Sequence, residues 1–206
     1  IFIMLIIQII QIILVAYLGF ASFYIFIFGF ASLFNTPKKK TIMDKMRRYA
    51  VLIPGYKEDT VIIEVAEDAV KQDYPKDMYD VIVIADSFKE TTLETLRKLP
   101  IQVIEVSFDL STKSKALNKA MAQLPDIYNV ALVLDADNLM ESKFISKINN
   151  AFNKGFIAVQ GHRVAKNFNT PFAILDAVSE EVNNKIFRKG HRVLGFSAAL
   201  IGSGMA

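Results

Sequence analysis

The chain contains no cysteine and no tryptophan, and it has only two histidines among its 206 residues. Without cysteine it has neither a disulfide scaffold nor a thiolate-ligated zinc or iron–sulfur site, and two histidines exclude a histidine-rich metal centre. Charged residues are also absent from one part of the chain. No charged side chain occurs in residues 1–34, although the whole chain carries 24 basic and 21 acidic residues.

This uncharged stretch is apolar throughout, and its polar interruptions are Gln8, Gln11, Ser22 and Ser32. A membrane span needs about 20 apolar residues. A secretory signal has a shorter apolar core of about 7–15 residues after a basic start. A buried helix that is apolar on all faces would need a much larger protein around it. Residues 1–34 are therefore predicted to form a transmembrane helix that tilts or overhangs the bilayer at one end.

A basic segment follows the predicted span directly. Against one acid, Asp44, it carries Lys38, Lys39, Lys40, Lys45, Arg47 and Arg48. Positive charge beside a span marks the cytoplasmic side and attracts anionic headgroups. Residues 35–48 are therefore predicted to be a basic juxtamembrane linker, with the rest of the chain in the cytoplasm. Because the whole chain has net charge +3, residues 49–206 are close to −2, which weighs against a nucleic-acid partner.

From Tyr49 onward, short apolar runs alternate with helical patterns. Strands are predicted at 49–54, 80–85, 101–106, 129–134 and 156–160, and helices at 60–72, 91–98, 113–122 and 142–153. Ser142 is expected to cap the last of these helices, and Gly155 to end it. A longer helix carries the stripe Leu175, Val178, Val182 and Ile186. The alternation predicts the α/β fold class, with a mostly parallel sheet and helices on both faces.

Polar residues follow three of the predicted strands. Pro54 to Asp59 follow the first strand, Asp86 follows the second, and Asp135-Ala136-Asp137 follow the fourth. Ligands of such sheets bind beyond the carboxyl ends of the strands. The first turn lacks the glycine-rich dinucleotide and P-loop patterns. These positions therefore predict a nucleotide and metal site of another kind.

The Asp135-Ala136-Asp137 triplet offers two carboxylates at i and i+2. Both can reach one Mg²⁺ or Mn²⁺ ion, which prefers oxygen ligands and takes phosphate oxygens in its other positions. A bare triplet of this kind is also typical of a solvated loop. The apolar run 130–134 ahead of it favours a divalent-cation site.

Five motifs in order resemble the inverting glycosyltransferase family 2, which includes cellulose, chitin and hyaluronan synthases and polyprenyl-phosphate sugar transferases. They are Val51-Leu-Ile-Pro-Gly-Tyr-Lys-Glu58, Gln72-Asp-Tyr-Pro75, Val81-Ile-Val-Ile-Ala-Asp86, Lys113-Ser-Lys-Ala-Leu-Asn118 and Val133-Leu-Asp-Ala-Asp-Asn138. The resemblance covers residues 49–206. It implies a GT-A fold, a nucleotide-sugar donor (a UDP-sugar foremost), a divalent cation, and a carbohydrate or lipid acceptor.

The resemblance also implies roles on the donor side. Pro54, Tyr56 and Glu58 border the nucleoside pocket, and Asp86 contacts the uracil or ribose. The family has an Asp-Asp pair there, whereas Ala85 replaces its first acid in this chain.

Further roles fall on the motifs that come later in the chain. Lys113 matches the lysine of K-G-x-A-L-N, with Ser114 in place of glycine. The resemblance places Asp135, Ala136 and Asp137 at the nucleotide-sugar, with the two aspartates holding the metal. Gly202, Ser203 and Gly204 match a small-residue loop near the donor sugar and acceptor.

Each of these residues also has a purely structural interpretation. Pro54 and Tyr56 suit a turn, Asp86 suits a helix cap, Lys113 suits a solvated helix start, and Gly202 and Gly204 suit a flexible end. His162 and His191 are predicted to be surface or loop residues rather than ligands.

The general base of an inverting transferase is expected beyond Ala206, as is the Q-x-x-R-W motif of the synthases. Glu180 and Glu181 precede the small-residue loop and are not assigned as the base. We therefore expect a chain that begins with Ile rather than Met to be a piece of a longer enzyme, which binds donor with little or no turnover. A nucleotidyltransferase and a non-catalytic, membrane-tethered nucleotide-binding module remain as alternatives.

Overall fold

The structure is a computed structural model that describes residues 2–35 and 40–206. Lys38 and Lys39, two of the basic residues after the predicted span, lie outside the described residues. The chain forms two compact units, which are described separately. One comprises Ile1–Lys38 and His162–Ala199, and the other comprises Lys39–Gly161 and Leu200–Ala206.

The helices and strands follow the predicted order closely. The helices are α1 (Phe2–Ala31), α2 (Ile62–Ala69), α3 (Glu90–Leu96), α4 (Lys113–Met121), α5 (Phe144–Asn153), α6 (Pro171–Asn183) and α7 (His191–Val193), with a 3₁₀ turn at Lys76–Met78 and a π-helical segment at Asn184–Gly190. The strands are β1 (Tyr49–Tyr56), β2 (Tyr79–Asp86), β3 (Gln102–Val106) and β4 (Val130–Val133).

In the second unit, the four strands form a sheet in the order β3-β2-β1-β4. Every pairing between them is parallel, and Tyr56 is paired with Asp86 at the carboxyl ends of β1 and β2. Successive residues of β1 face opposite sides of this sheet. Tyr49, Val51 and Ile53 belong to the cluster that includes α2 and α5, while Ala50 and Leu52 belong to the cluster with α4. The predicted mostly parallel sheet with helices on both faces is confirmed.

The predicted fifth strand at 156–160 is wrong. Ile157 is 97% exposed, and among the described residues this segment contributes only an isolated antiparallel bridge from Gln160 to Met205. The reason is that Met205 occupies the open edge of β4, where its carbonyl accepts a hydrogen bond from Val133 N at 2.8 Å. The chain at 159–161 therefore pairs with the terminal residues instead of extending the sheet.

The predicted cap of α5 by Ser142 is also wrong. Gln72, which is 3% exposed, reaches over from another segment, and its Oε1 accepts a hydrogen bond from Ile145 N at 3.2 Å. The Ser142 carbonyl accepts from Asp73 N at 2.7 Å. The Gln72-Asp-Tyr-Pro75 motif thus holds the start of α5. Gly155, with φ of +79°, ends this helix as predicted.

In the first unit, α1 is the one helix of the described chain long and apolar enough to cross a membrane. It packs against the π-helical segment and α7. The Phe28 and His191 rings stack 3.9 Å apart, and Tyr24 Oη lies 2.8 Å from His191 Nε2. His191 is therefore a half-buried helix residue, contrary to the surface or loop position predicted for it.

His162, by contrast, is exposed as predicted, and its Nε2 lies 2.9 Å from Glu181 Oε2. The hydrogen bond from His162 lowers the pKa of the Glu181 carboxyl below its ordinary value. Both residues belong to the first unit.

Candidate functional site

The carboxyl ends of β1 and β2 and the start of α4 enclose a pocket of about 140 Å³. Its lining residues are Pro54, Gly55, Tyr56, Asp86, Ser111, Thr112, Lys113 and Ala116. Four of them, Pro54, Tyr56, Asp86 and Lys113, are predicted site residues that come from three separate segments of the sequence. The pocket therefore forms at the edge of the sheet where parallel strands were expected to bring them together.

Both strands leave this edge through a left-handed residue that is not glycine. Lys57 has φ of +54° and Ser87 has φ of +58°, a conformation uncommon for residues with a side chain. Lys57 N donates to the Asp86 carbonyl at 3.1 Å, which ties the two turns together. Backbone strain of this kind concentrates at ligand sites, because it fixes where the neighbouring side chains stand.

Asp86 is 2% exposed, and its Oδ1 accepts a hydrogen bond from Ser87 Oγ at 2.9 Å. It does not cap the following helix. Asp59, from the loop after β1, serves α3 by accepting from Lys89 N at 2.9 Å and Thr92 Oγ1 at 2.6 Å. The pKa of the Asp59 carboxyl lies below its ordinary value, mainly because of the hydrogen bond from Thr92. Asp86 thus remains a pocket residue.

Gly55 and Ala136 lie close to each other at the strand ends, and the Phe88 ring packs against Gly55. A Cβ atom on Gly55 would stand 2.7 Å from Phe88 Cζ and 3.5 Å from Ala136 Cβ. Ala136 is 6% exposed and lies in the core beneath the strand ends, not among the residues that line the pocket. Its place between two aspartates turns the apolar side of the triplet inward.

Glu58 also stands outside the pocket lining. Its side chain is exposed, and its carbonyl accepts a hydrogen bond from Ile62 N at 3.1 Å, at the start of α2. Glu58 therefore contributes a backbone contact here. Its carboxylate does not lie with the other site residues.

The two acids of the triplet have different surroundings. Lys113 Nζ donates to the half-buried Asp135 carboxylate and to the Gly202 carbonyl. Asp137 is exposed, and within the described part of the chain its carboxylate forms no hydrogen bond or ion pair. The described residues hold no group of three or more metal-binding side chains. The triplet therefore offers a cation two carboxylates, one paired with a lysine and one open to solvent.

The terminal small-residue loop completes the site. Ser203 is fully buried, and its Oγ accepts hydrogen bonds from Asp135 N at 2.9 Å and Asn138 Nδ2 at 2.7 Å. Gly202 and Gly204 are left-handed, with φ of +79° and +62°. These two glycine conformations place Ser203 beneath the turn at Asp135. The hydrogen bonds of Ser203 therefore attach the loop to the site, and the loop is not a flexible end.

Gln160, which the sequence did not single out, anchors this loop. Its Nε2 donates to the Ser203 carbonyl at 2.7 Å, and its Oε1 accepts from Ile201 N at 2.9 Å. A lone glutamine at the end of the apolar run 156–159 is the signal that was available. Ser111 and Thr112 were also missed. Thr112 is the N-cap of α4, and its Oγ1 accepts from Lys115 N at 3.2 Å.

Replacing Ser203 with alanine should destabilise the fold and weaken nucleotide binding. The change leaves Asp135 N and Asn138 Nδ2 without their acceptor in a buried place, which costs about 1–3 kcal/mol. Urea unfolding in detergent, followed by circular dichroism, measures the loss. Ser107→Ala, at an exposed serine without a hydrogen bond in the described structure, is the matched control and should change little. Equal stability of the two variants would contradict the role given to Ser203.

The chain is similar in sequence to known glycosyltransferases over the part that contains this site. The profile of the family described as Glycosyltransferase like family 2 matches residues 47–206. The probable glycosyltransferase YdaM of Bacillus subtilis (strain 168) is 29% identical over 114 residues, which are 52% of this chain and 27% of that protein. The poly(ribitol-phosphate) beta-N-acetylglucosaminyltransferase TarS of Staphylococcus aureus (strain Mu50 / ATCC 700699) is 26% identical over 102 residues, or 48% of this chain and 18% of TarS.

Among solved structures, the mannosyltransferase PcManGT from Pyrobaculum calidifontis, in complex with GDP-Man and Mn²⁺, superposes with a TM-score of 0.57. The identity is 21%, and the match covers 74% of this chain and 46% of that one. This likeness shows a shared GT-A-like α/β fold. The chain spans about a quarter or less of the curated relatives it matches. Since the family profile covers most of the sequence, this chain belongs to glycosyltransferase family 2.

Proposed function

We propose that the chain is the donor-binding part of a membrane-anchored glycosyltransferase, which transfers a sugar from a nucleotide-sugar to a carbohydrate or lipid acceptor with inversion. The observation that carries the proposal is that Lys113 connects the pocket to the acidic triplet at one edge of the sheet. Lys113 lines the pocket, and its ammonium group also contacts Asp135 of the acidic triplet and Gly202 of the terminal loop. A nucleoside in the pocket would therefore direct its diphosphate toward the triplet.

The residues at this edge fit a bound divalent cation. Mg²⁺ is typically held by one or two carboxylates together with substrate phosphates and water. Asp137 is open to solvent and Asp135 is paired with a lysine, so two carboxylates are offered and the remaining ligands are left to the diphosphate. When bound, Mn²⁺ or Mg²⁺ would neutralise the charge that develops on the departing nucleoside diphosphate. PcManGT was solved with Mn²⁺.

Lys113 supplies a second positive charge for the diphosphate. Its side chain is 37% exposed, so the ammonium group can leave Asp135 at small cost once that carboxylate has another cation beside it. Ser111 and Thr112 line the pocket next to it and offer hydroxyl donors. The chain itself thus binds and orients the donor at Asp86, Lys113 and the triplet.

Membrane anchoring is supported by α1 and by the basic residues after it. Lys40, Lys45, Arg47 and Arg48 follow the helix within the described chain. Because positive residues remain on the cytoplasmic side of a span, the sheet unit is proposed to face the cytoplasm, where nucleotide-sugars are made.

A donor panel tests the proposed class of substrate. In Mn²⁺, equilibrium dialysis should show UDP-sugar or GDP-sugar bound in preference to UTP or GTP, because the site is proposed to hold a diphosphate that carries a sugar. Asp86→Asn should weaken binding, since it removes the buried carboxylate from the pocket. Asp126→Asn, an exposed aspartate, is the matched control. Preference for the triphosphates would instead indicate a nucleotidyltransferase.

A further inference from the structure

Gln160 uses both ends of its side-chain amide to hold the terminal loop. Its Oε1 accepts a hydrogen bond from Ile201 N at 2.9 Å, and its Nε2 donates to the Ser203 carbonyl at 2.7 Å. These two partners lie on either side of Gly202, so the amide spans the turn. Because an N–H only donates and a carbonyl only accepts, the contact requires a donor and an acceptor on one side chain. Glutamine meets this requirement, whereas leucine and ionised glutamate do not.

The first half of the loop depends on side chains for its hydrogen bonds. After Ser203 the backbone pairs directly, since Gly204 N donates to the Val133 carbonyl at 2.8 Å. In the part of the chain that the structure describes, residues 200–203 form no hydrogen bond from backbone to backbone. Their backbone groups are bound instead by Gln160 and by Lys113, which donates to the Gly202 carbonyl. Removing the Gln160 amide therefore releases this half of the loop.

Ser203 connects Gln160 to the acidic triplet. Its carbonyl accepts from Gln160, while its Oγ accepts from Asp135 N at 2.9 Å and from Asn138 Nδ2 at 2.7 Å. The Phe144 ring lies against the neighbouring glycines, Gly161 and Gly204. A shift of Ser203 would thus take the acceptor away from the turn that carries both carboxylates.

A second connection leads through Gly202 to the pocket. The Lys113 ammonium group donates to the Gly202 carbonyl and to the Asp135 carboxylate. Because Gln160 fixes Ile201 and Ser203 on both sides of Gly202, it also fixes the carbonyl that Lys113 contacts. The two routes from Gln160 converge on the same lysine and aspartate.

We propose that Gln160 is a positioning residue for the donor site and acts on it through the terminal loop. Its side chain is half-buried and does not line the pocket, so contact with the nucleotide-sugar is not part of this role. Its amide keeps Asp135 and Lys113 in the arrangement that receives a diphosphate and a cation. The inference rests on the proposed function, because it takes this edge of the sheet to be the donor site.

Two substitutions separate positioning from general damage to the fold. Gln160→Leu removes both hydrogen-bonding groups, whereas Gln160→Glu lacks the donor when ionised and regains it when protonated. Gln123→Leu and Gln123→Glu are the matched controls, at an exposed glutamine whose side chain forms no hydrogen bond in the described structure. Calorimetry of the full chain in detergent would give UDP affinities in Mn²⁺ and in EDTA. The series would run from about pH 8 to about pH 5, toward the ordinary glutamate pKa of about 4.3.

At the upper end of the series, both Gln160 variants should reduce the gain in UDP affinity from Mn²⁺ by about 10-fold, as loss of an outer-shell partner does at a metal site. The Gln123 variants should match the unmodified chain. As the pH falls, Gln160→Glu should recover relative to the unmodified chain at the same pH, and Gln160→Leu should not. The carbonyl beside the new carboxyl favours its protonated form and raises its pKa, so recovery should begin within this range.

If the unmodified chain binds UDP more tightly in Mn²⁺ and the Gln160 variants behave like the controls, the inference is overturned and the proposed function stands. Equal losses in Mn²⁺ and EDTA, without recovery of Gln160→Glu at the lower pH, would mean that Gln160 only stabilises the fold, which also overturns the inference. Absence of UDP binding by the unmodified chain would reject the proposed function, and the role of Gln160 with it.

Discussion

Replacing Asp137 with asparagine should remove most of the gain in UDP affinity that Mn²⁺ provides, while UDP binding in EDTA stays unchanged or improves slightly. Asp137 is exposed and unpaired in the described structure, so its carboxylate is available to a cation at no structural cost. Asparagine keeps the shape and removes the negative charge. The loss in Mn²⁺ should be at least the roughly 10–100-fold that removal of an outer-shell partner costs a metal site.

The neighbouring acid should respond differently. Asp135 is tied to Lys113 and, through its backbone, to Ser203, so it takes part in holding the site together. Asp135→Asn should weaken UDP binding in Mn²⁺ as well, but part of that loss should persist in EDTA. The comparison of the two variants separates a ligand from a residue that also positions its surroundings.

Titration calorimetry of UDP with both variants, in EDTA and in Mn²⁺, provides the four affinities required. If Asp137→Asn loses as much affinity in EDTA as in Mn²⁺, the residue has a structural role and the assignment of the two acids is wrong. The slight improvement in EDTA has its own reason, because a carboxylate beside a diphosphate repels it.

Replacing Lys113 with methionine should change two affinities in opposite directions. UDP should bind about 10–100-fold more weakly, since a hydrogen bond to a charged group contributes about 1.5–3 kcal/mol. Mn²⁺ alone should bind more tightly, because the ammonium group that contacts Asp135 competes with the cation for that carboxylate. Methionine keeps most of the aliphatic length, so packing at the start of α4 is retained.

Lys119→Met is the matched control for this change, because Lys119 is exposed on the same helix and has no partner in the described structure. It should leave both affinities close to those of the unmodified chain. Mn²⁺ binding is followed by the electron paramagnetic resonance signal of the free ion, and UDP binding by calorimetry. A parallel fall of both affinities in Lys113→Met would indicate damage to the fold, and no change in either would remove Lys113 from the site.

The pocket residues could be predicted because they stand at positions fixed by parallel pairing. Apolar runs identified β1 and β2, and a polar residue at the end of a buried strand must lie at the ligand-binding edge. The local pattern placed the segment after β1 and Asp86 at this edge, and the family resemblance singled out Pro54 and Tyr56 within that segment. Ala85, which replaces the first aspartate of the family's Asp-Asp pair, is buried in β2.

The elements that were missed depend on contacts between distant segments. Gln160 and Ser203 are 43 residues apart, and their pairing beside β4 has no periodic signature in either segment. The same is true of Gln72, whose side chain caps a helix that starts 72 residues later. Short apolar runs, such as the four residues 156–159, do not distinguish a sheet strand from an extended segment that pairs elsewhere.

The most direct test of the site is the affinity of UDP for the unmodified chain with and without Mn²⁺. If the pocket at Asp86 and the acidic triplet form one site for a nucleoside diphosphate and a divalent cation, calorimetry in Mn²⁺ should give markedly tighter binding than calorimetry in EDTA, with one UDP per chain. Equal affinity under the two conditions would contradict the account, because the triplet would then have no cation to share with the diphosphate.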